Sequence, residues 1–241
     1  MYCFYASDDT IITKQDFIET YNNGYYLGNT RQVPRVTQNS KIAENEIERI
    51  LREGIKEPID VYRIMAWKVG KIRHADSDAA SEIRYASNWK NAETGIVRNY
   101  RYKLDMTGFA QYIVSNIGYL EELALTDPQR VLNNLVNAPA PKGIGTVYLI
   151  TLLYFISRGK WPIYDRFAMM ALTAITEGKK PGEAVCYLEL PDKNSENFNS
   201  VMDICKQTYI MQLEDIFGKD YNKTRNVDRA LWVYGHRFKK A

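Results

Sequence analysis

The stretch Pro141-Lys-Gly-Ile-Gly-Thr-Val-Tyr-Leu-Ile-Thr-Leu-Leu-Tyr-Phe-Ile-Ser-Arg-Gly-Lys-Trp-Pro-Ile-Tyr-Asp165 decides how this chain folds. It opens on a Gly-x-Gly turn, Gly143 and Gly145, and runs directly into an apolar segment of helical length that ends near Gly159. Pro162-Ile163-Tyr164-Asp165 then leads into a second apolar helix. Glycine has no side chain, so backbone N–H groups at such a turn can come close to a phosphate. Asp165 follows Gly145 by twenty residues. One short stretch thus offers a grip on a phosphate backbone and a carboxylate for chemistry.

Outward from this stretch the pattern is helical almost throughout. Residues 1 to 40 are rich in Tyr, Asn and Thr and look irregular, with one helix near Lys14 to Tyr21 and a polar loop from Gly28 to Ser40. Helical periodicity begins at Lys41, with Ile42, Ile47, Ile50 and Leu51 recurring between charges. Pro58 starts a second helix through Ile59, Tyr62, Ile64, Met65 and Val69, with Gly70 as its stop. In the polar segment 73–103, Ser77 to Tyr85 is assigned to helix and Trp89 to Tyr102 to loop. Thr107 to Leu120 is expected to be one helix, with Phe109, Tyr112, Ile113 and Ile117 as its buried face. Asp127-Pro128 is a helix start, an N-cap aspartate with proline in the first turn. That helix ends near Asn137, because Pro139 and Pro141 follow. The helix after Asp165 runs to about Thr176, and Glu177-Gly-Lys-Lys-Pro-Gly is a loop. Val185 to Leu190 is either a short strand or a helical turn. Asn194 to Ile216 is expected to be one long helix, and the last helix begins near Arg225 or Asn226 and carries Val227, Ala230, Leu231, Val233 and Tyr234. Strand-like alternation is scarce, and no internal repeat or low-complexity segment stands out. The expected fold class is mostly α.

Composition sets outer limits. A chain of 241 residues fits one large domain or two small lobes sharing a core. No apolar run reaches the ~18 residues that would span a bilayer, and Met1-Tyr-Cys-Phe-Tyr lacks the basic start and apolar core of a signal peptide. A cytoplasmic protein with no membrane partner is the expectation. The cysteines Cys3, Cys186 and Cys205 are scattered and the histidines His74 and His236 stand alone, so no metal site is expected. The net charge of +3 is mildly basic and permits nucleic-acid binding without demanding it.

Each candidate residue also has an ordinary structural role available. Asp165 before Arg-Phe-Ala-Met-Met-Ala-Leu is a favoured N-cap, at a helix start where negative charge is stabilised. The Lys142-Gly-Ile-Gly-Thr146 turn is equally a plain helix connection with glycines for packing. Trp67, Lys68, Trp161, Tyr164, Trp232 and His236 lie near these elements, and for each aromatic among them core packing competes with a binding role. Lys68, Lys71, Arg73 and His74 make one local basic cluster. Lys90, Arg98, Arg101 and Lys103, interleaved with Trp89, Tyr100 and Tyr102, make another, with the combination of stacking and phosphate contact that suits nucleic acid.

Pro141, Gly143, Ile144, Gly145, Pro162, Ile163 and Asp165 together resemble the helix-hairpin-helix superfamily of DNA glycosylases, in the 8-oxoguanine/adenine glycosylase branch. The likeness covers residues 139 to 172, and beyond them only the helical character is shared. It implies a mostly α fold of two helical lobes with a DNA- and base-binding cleft between them. Within one 1–241 glycosylase-like domain, residues 41–138 would form one lobe, 139–176 the hairpin and catalytic-aspartate segment, and 177–241 the helices completing the other lobe. It implies that Lys142, Gly143, Ile144, Gly145, Thr146 and Arg166 contact double-stranded DNA, and that Asp165 stabilises the oxocarbenium-like sugar as a flipped base departs. The six aromatic and basic residues named above would then line the base pocket. Hairpin carbonyls in this family can hold a monovalent cation; no other cofactor is implied. An iron–sulfur cluster is excluded by the cysteine spacing, and a monomer is expected. Strand-cleaving members carry a Schiff-base lysine two residues after the second hairpin glycine, where this chain has Val147, so a monofunctional enzyme is implied. An arginine common five residues after the aspartate is Met170 here, and the hairpin has Pro-Lys-Gly in place of Pro-Gly. The substrate would be a damaged base in repair, or a modified base of phage DNA removed in defence. Two alternatives stand beside this: a noncatalytic helix-hairpin-helix DNA-binding protein, and a helical protein–protein module.

Overall fold

The computed structural model describes residues 2–27, 38–69, 93–98 and 102–241. Among these the chain is mostly helical, and its only sheets are two two-stranded pairings. It divides into two compact units, one of Met1–Arg35, Ile163–Leu190 and Asp203–Ala241, the other of Val36–Pro162 and Pro191–Met202. The division falls between Pro162 and Ile163. The glycine turn with its helix therefore belongs to one unit, and Asp165 with its helix to the other.

In the unit that holds Asp165, the last helix, Asn226–Gly235, packs on both Lys14–Leu27 and Arg166–Glu177. Its residues Val227, Ala230, Leu231, Val233 and Tyr234 are all buried. Tyr234 meets Phe17 at 5.1 Å and Tyr21 at 5.0 Å between ring centroids, which explains part of the tyrosine richness: these rings are core. The Tyr21 hydroxyl donates to the Tyr5 carbonyl at 2.8 Å, and burial pushes its phenol up to about 12. The helix ends where it crosses the start of Arg166–Glu177. A Cβ on Gly235 would stand 1.9 Å from the Phe167 carbonyl oxygen, so only glycine permits this crossing. Of the ambiguous segment Val185 to Leu190, only Val185 lies in a strand, Ala184–Val185, paired in parallel with Lys239–Lys240; residues 186–190 form neither a strand nor a helical turn.

The other unit is built around Thr146–Ile156. Every residue from Leu149 to Ile156 is buried, which is why this helix is apolar all round and shows no polar face. Pro58–Val69 and Pro128–Asn137 pack on it. Asp127 caps the latter as its sequence suggests, accepting from the Arg130 amide at 3.0 Å. Asp60 is buried and serves a related purpose, accepting from the Lys56 and Glu57 amides at 2.8 and 3.1 Å and pairing with Arg49 at 2.9 Å.

Three expectations are corrected. Thr107 to Leu120 is not one helix: Thr107–Ser115 ends and Ile117–Thr126 begins around Asn116, whose side-chain amide donates to the Tyr112 carbonyl at 2.8 Å. The expected loop through Tyr102 contains a strand, Ile96–Arg98, paired antiparallel with Lys103–Asp105; at three residues a strand is too short for alternation to show. Asn194 to Ile216 is not a continuous α-helix. It runs as a 3-10 segment Glu196–Ser200, an α turn Val201–Ile204, a π segment Cys205–Ile210 and an α-helix Met211–Phe217. The interruption at its start lies at Gln129. Its amide donates to the Phe198 carbonyl at 3.1 Å and accepts from the Met202 amide at 3.0 Å, occupying the two groups that a continuous helix would pair with each other. The expected helix 77–85 and the stop at Gly70 lie outside the described residues.

Two glycine substitutions should move stability in opposite directions. Gly235→Ala is expected to cost about 3 kcal/mol or more, because the methyl meets backbone rather than a movable side chain. Gly118→Ala, where nothing lies within 4 Å, should stabilise by about 0.5 kcal/mol. Urea unfolding of both variants checks this, and a neutral Gly235→Ala would contradict the crossing.

Candidate functional site

The turn between Pro128–Asn137 and Thr146–Ile156 uses its two glycines differently. Gly143 adopts φ 101°, and a Cβ there would meet the Tyr102 ring at 2.5 Å, so the fold itself requires glycine. Gly145 is the N-cap with φ −107° and ψ −178°, extended backbone open to any residue, and nothing lies within 4 Å of a Cβ placed there. Folding gives no steric reason for glycine at 145. Ile144 is buried and anchors the turn. Lys142 is exposed, with its ammonium 6.0 Å from the centroid of the Tyr102 ring. The Thr146 hydroxyl donates to the Pro191 carbonyl at 2.6 Å, so this side chain secures the helix start. Amides in the first turn of a helix have no intrahelical acceptors, and at this end they follow a residue without a side chain.

Asp165 begins Arg166–Glu177 in extended conformation, and its Oδ1 accepts from the Phe167 amide at 2.9 Å. The N-cap role is thus real, and the carboxylate remains half-buried at the positive end of the helix dipole. Arg166 is exposed, with its guanidinium 4.6 Å from the Phe167 ring centroid. On Phe167 lies His236, with ring centroids 3.5 Å apart and planes at 22°. Trp232 tilts against His236 at 4.1 Å and meets Tyr25 at 5.6 Å. His236 Nδ1 is 2.7 Å from the Trp232 carbonyl, which can only accept, so Nδ1 carries the proton and Nε2 the lone pair. Burial holds the imidazole pKa below its ordinary value and outweighs the bond to Trp232 and the nearby Asp165 carboxylate, both of which favour protonation. Asp165, Arg166, Phe167, Trp232 and His236 therefore form one assembly, a carboxylate edged by stacked rings.

Other residues singled out in the sequence have structural partners. Trp161 donates its indole N–H to the Ala124 carbonyl at 2.7 Å. Tyr164 is buried against Tyr209, donates to the Leu188 carbonyl, and has its pKa raised chiefly by burial. Trp67 donates to the buried Glu44 carboxylate at 2.6 Å and packs edge-on to Phe155; Lys68 beside it is partly exposed. Lys71, Arg73, His74, Trp89, Lys90, Tyr100 and Arg101 lie outside the described residues. Phe167 and Gly235 were not among the sequence candidates. Phe167 follows Asp165 by two residues in an ordinary apolar run, and only the crossing of two distant segments gives either residue its meaning.

Among the described residues no group of three or more His, Cys, Asp or Glu side chains could hold a metal ion, and no helix is long and apolar enough to cross a membrane. No protein-family model, no curated protein and no solved structure matches this chain.

The cap and the histidine give separate stability predictions. Asp165→Ala should cost about 1 kcal/mol and Asp165→Asn only a few tenths, because the amide oxygen still accepts from Phe167. His236 resists protonation when folded. In the window from its lowered pKa up to about 6.5, the ordinary value, the unfolded chain binds more protons, so its contribution to stability is full above that window and is lost as pH falls through it. Denaturant titrations across pH 5 to 8 should therefore show a shallower acid-side loss for His236→Gln than for wild type; parallel curves would contradict the buried neutral imidazole.

Proposed function

We propose that this chain is a monofunctional DNA glycosylase of the helix-hairpin-helix type, which takes a modified or damaged base out of duplex DNA and hydrolyses its N-glycosidic bond. The observation that carries this is Gly145. It stands where folding does not call for glycine, at the N-terminus of the helix that follows the turn, and twenty residues before a carboxylate that caps the next helix. Close approach of a phosphate to the amides of residues 145 and 146 gives glycine a reason to be there. Gly143, Ile144 and Lys142 shape and charge the same turn, with Arg166 as a further backbone contact beside Asp165.

As the base leaves, positive charge builds on the deoxyribose. A carboxylate fixed by the Phe167 amide meets that charge with little reorganisation, the property that makes preorganised groups effective. Trp232 and His236, which share the Asp165 assembly, are the base-contacting residues favoured here over Trp161, Tyr164 and Trp67, whose polar groups are engaged within the fold. Val147 in place of a nucleophilic lysine makes the product an abasic site rather than a cleaved strand. The biological setting is base-excision repair or defence against phage DNA with modified bases.

A noncatalytic DNA-binding protein on the same motif is the second interpretation. It draws on the N-cap bond of Asp165, which alone accounts for an aspartate at that position.

Single-turnover base release separates the two. Duplexes carrying 8-oxoguanine, alkylated purines, uracil, mismatched adenine or glucosylated hydroxymethylcytosine are incubated with the protein and then treated with alkali. Alkali-dependent breaks are expected from wild type, with a loss of about 100-fold or more in Asp165→Asn. Gly145→Ala should weaken DNA binding and leave the unfolding midpoint unchanged. DNA binding without release from any duplex would favour the noncatalytic protein, and absence of binding at low salt would defeat both.

A further inference from the structure

The two ring nitrogens of His236 stand in different surroundings. Nδ1 donates to the Trp232 carbonyl at 2.7 Å, one helical turn back, which fixes the rotation of the ring and leaves the lone pair on Nε2. The ring is also held by its stacking on Phe167 at 3.5 Å and its contact with Trp232 at 4.1 Å. Nε2 makes no hydrogen bond among the described residues, and it is not one of the buried polar atoms that the fold leaves unpaired. The residue as a whole is partly exposed. Nε2 is therefore an acceptor of fixed direction that a ligand can reach. Asp165 and Arg166, both from the facing helix start, are the charged groups that act on this imidazole, and burial outweighs them in keeping it neutral.

A neutral imidazole in this tautomer accepts one hydrogen bond at Nε2 and donates none. We propose that His236 Nε2 is a specificity-determining acceptor, which takes a hydrogen bond from an N–H on the edge of the bound base. The substrate class follows from the chemistry of that atom. A base that turns a ring N–H or an amino group toward Nε2 is favoured. A base with a methylated or accepting nitrogen in that place is disfavoured, because the acceptor would lose a bond that it makes in water. This rests on the reading that a base enters the Asp165 assembly, and it adds to that reading the atom and the kind of base edge that meet.

The test is calorimetric binding of nucleosides to the full chain, in matched pairs that differ by loss of an N–H donor: guanosine and 1-methylguanosine, uridine and 3-methyluridine, adenosine and its dimethylamino derivative. The proteins are wild type, His236→Gln, which keeps an acceptor near the place of Nε2, and His236→Asn, which keeps a donor near the place of Nδ1 and removes the acceptor. At least one parent nucleoside should bind wild type about tenfold more tightly than its methylated partner. His236→Gln should retain a preference and His236→Asn should lose it. The nitrogen-15 resonance of Nε2, observed in a His74→Gln background that leaves a single imidazole, should move when that nucleoside binds. No preference within any pair, including no binding at all, would overturn the acceptor. So would a preference that survives in His236→Asn, since the methyl group would then act by bulk alone, or an Nε2 resonance that the bound nucleoside leaves unmoved. If His236→Asn fails to fold, as its melting temperature would show, the wild-type pairs and the resonance decide. Base release from duplexes without such a preference would leave the glycosylase standing and remove the acceptor. A preference without release from any duplex would keep the acceptor and remove the enzyme.

Discussion

The contact between Gly235 and the Phe167 carbonyl governs everything at the Asp165 helix start. Two helices cross there at backbone distance, closer than any side chain allows, and the consequences run outward from that point. His236, one residue on, stacks on Phe167, whose carbonyl Gly235 meets. Phe167 in turn presents its amide to the carboxylate. The carboxylate is therefore oriented by a backbone group, and the ring assembly beside it is oriented by a backbone crossing. Neither depends on long flexible side chains, whose ordering would cost entropy. On the proposed function, this fixed geometry is what charge stabilisation in a transition state asks of a carboxylate.

In the other unit the division of labour between Gly143 and Gly145 carries the functional argument. Identical residues two positions apart answer to different constraints, one to a positive φ and an aromatic ring pressed on it, the other to neither. On the proposed function, the open face at Gly145 answers to a phosphate that approaches it. The surrounding helix makes that face stable, since it is buried from Leu149 to Ile156 and Thr146 is fastened to Pro191.

Much of this was legible in the chain because it is punctuated. Pro58, Asp127-Pro128 and Asp165 mark helix starts through local chemistry that tertiary structure did not override, and the predominance of helix follows from periodicity alone. What was not legible arises from partners distant in sequence. The apolar spacing of 194–216 is that of one helix, and nothing in it announces that Gln129 will take the carbonyl of Phe198 and the amide of Met202. Among the aromatics, Trp161 and Tyr164 sit near the right elements in sequence but spend their polar groups on backbone carbonyls, while Phe167, an unremarked apolar position, becomes the floor of the site. Sequence proximity located the helix start; it could not show which rings the fold would gather around it.

On the proposed function, Asp165 meets positive charge on a sugar. The most direct measurement compares equilibrium affinity for two duplexes that differ only at one abasic position, a cationic pyrrolidine in one and a neutral tetrahydrofuran in the other, with wild type and Asp165→Asn. Wild type is expected to bind the cationic analogue at least about 100-fold more tightly, as enzymes bind mimics of their transition states, and Asp165→Asn to lose most of that preference. Equal affinity of wild type for the two duplexes, or a preference that survives in Asp165→Asn, would contradict it.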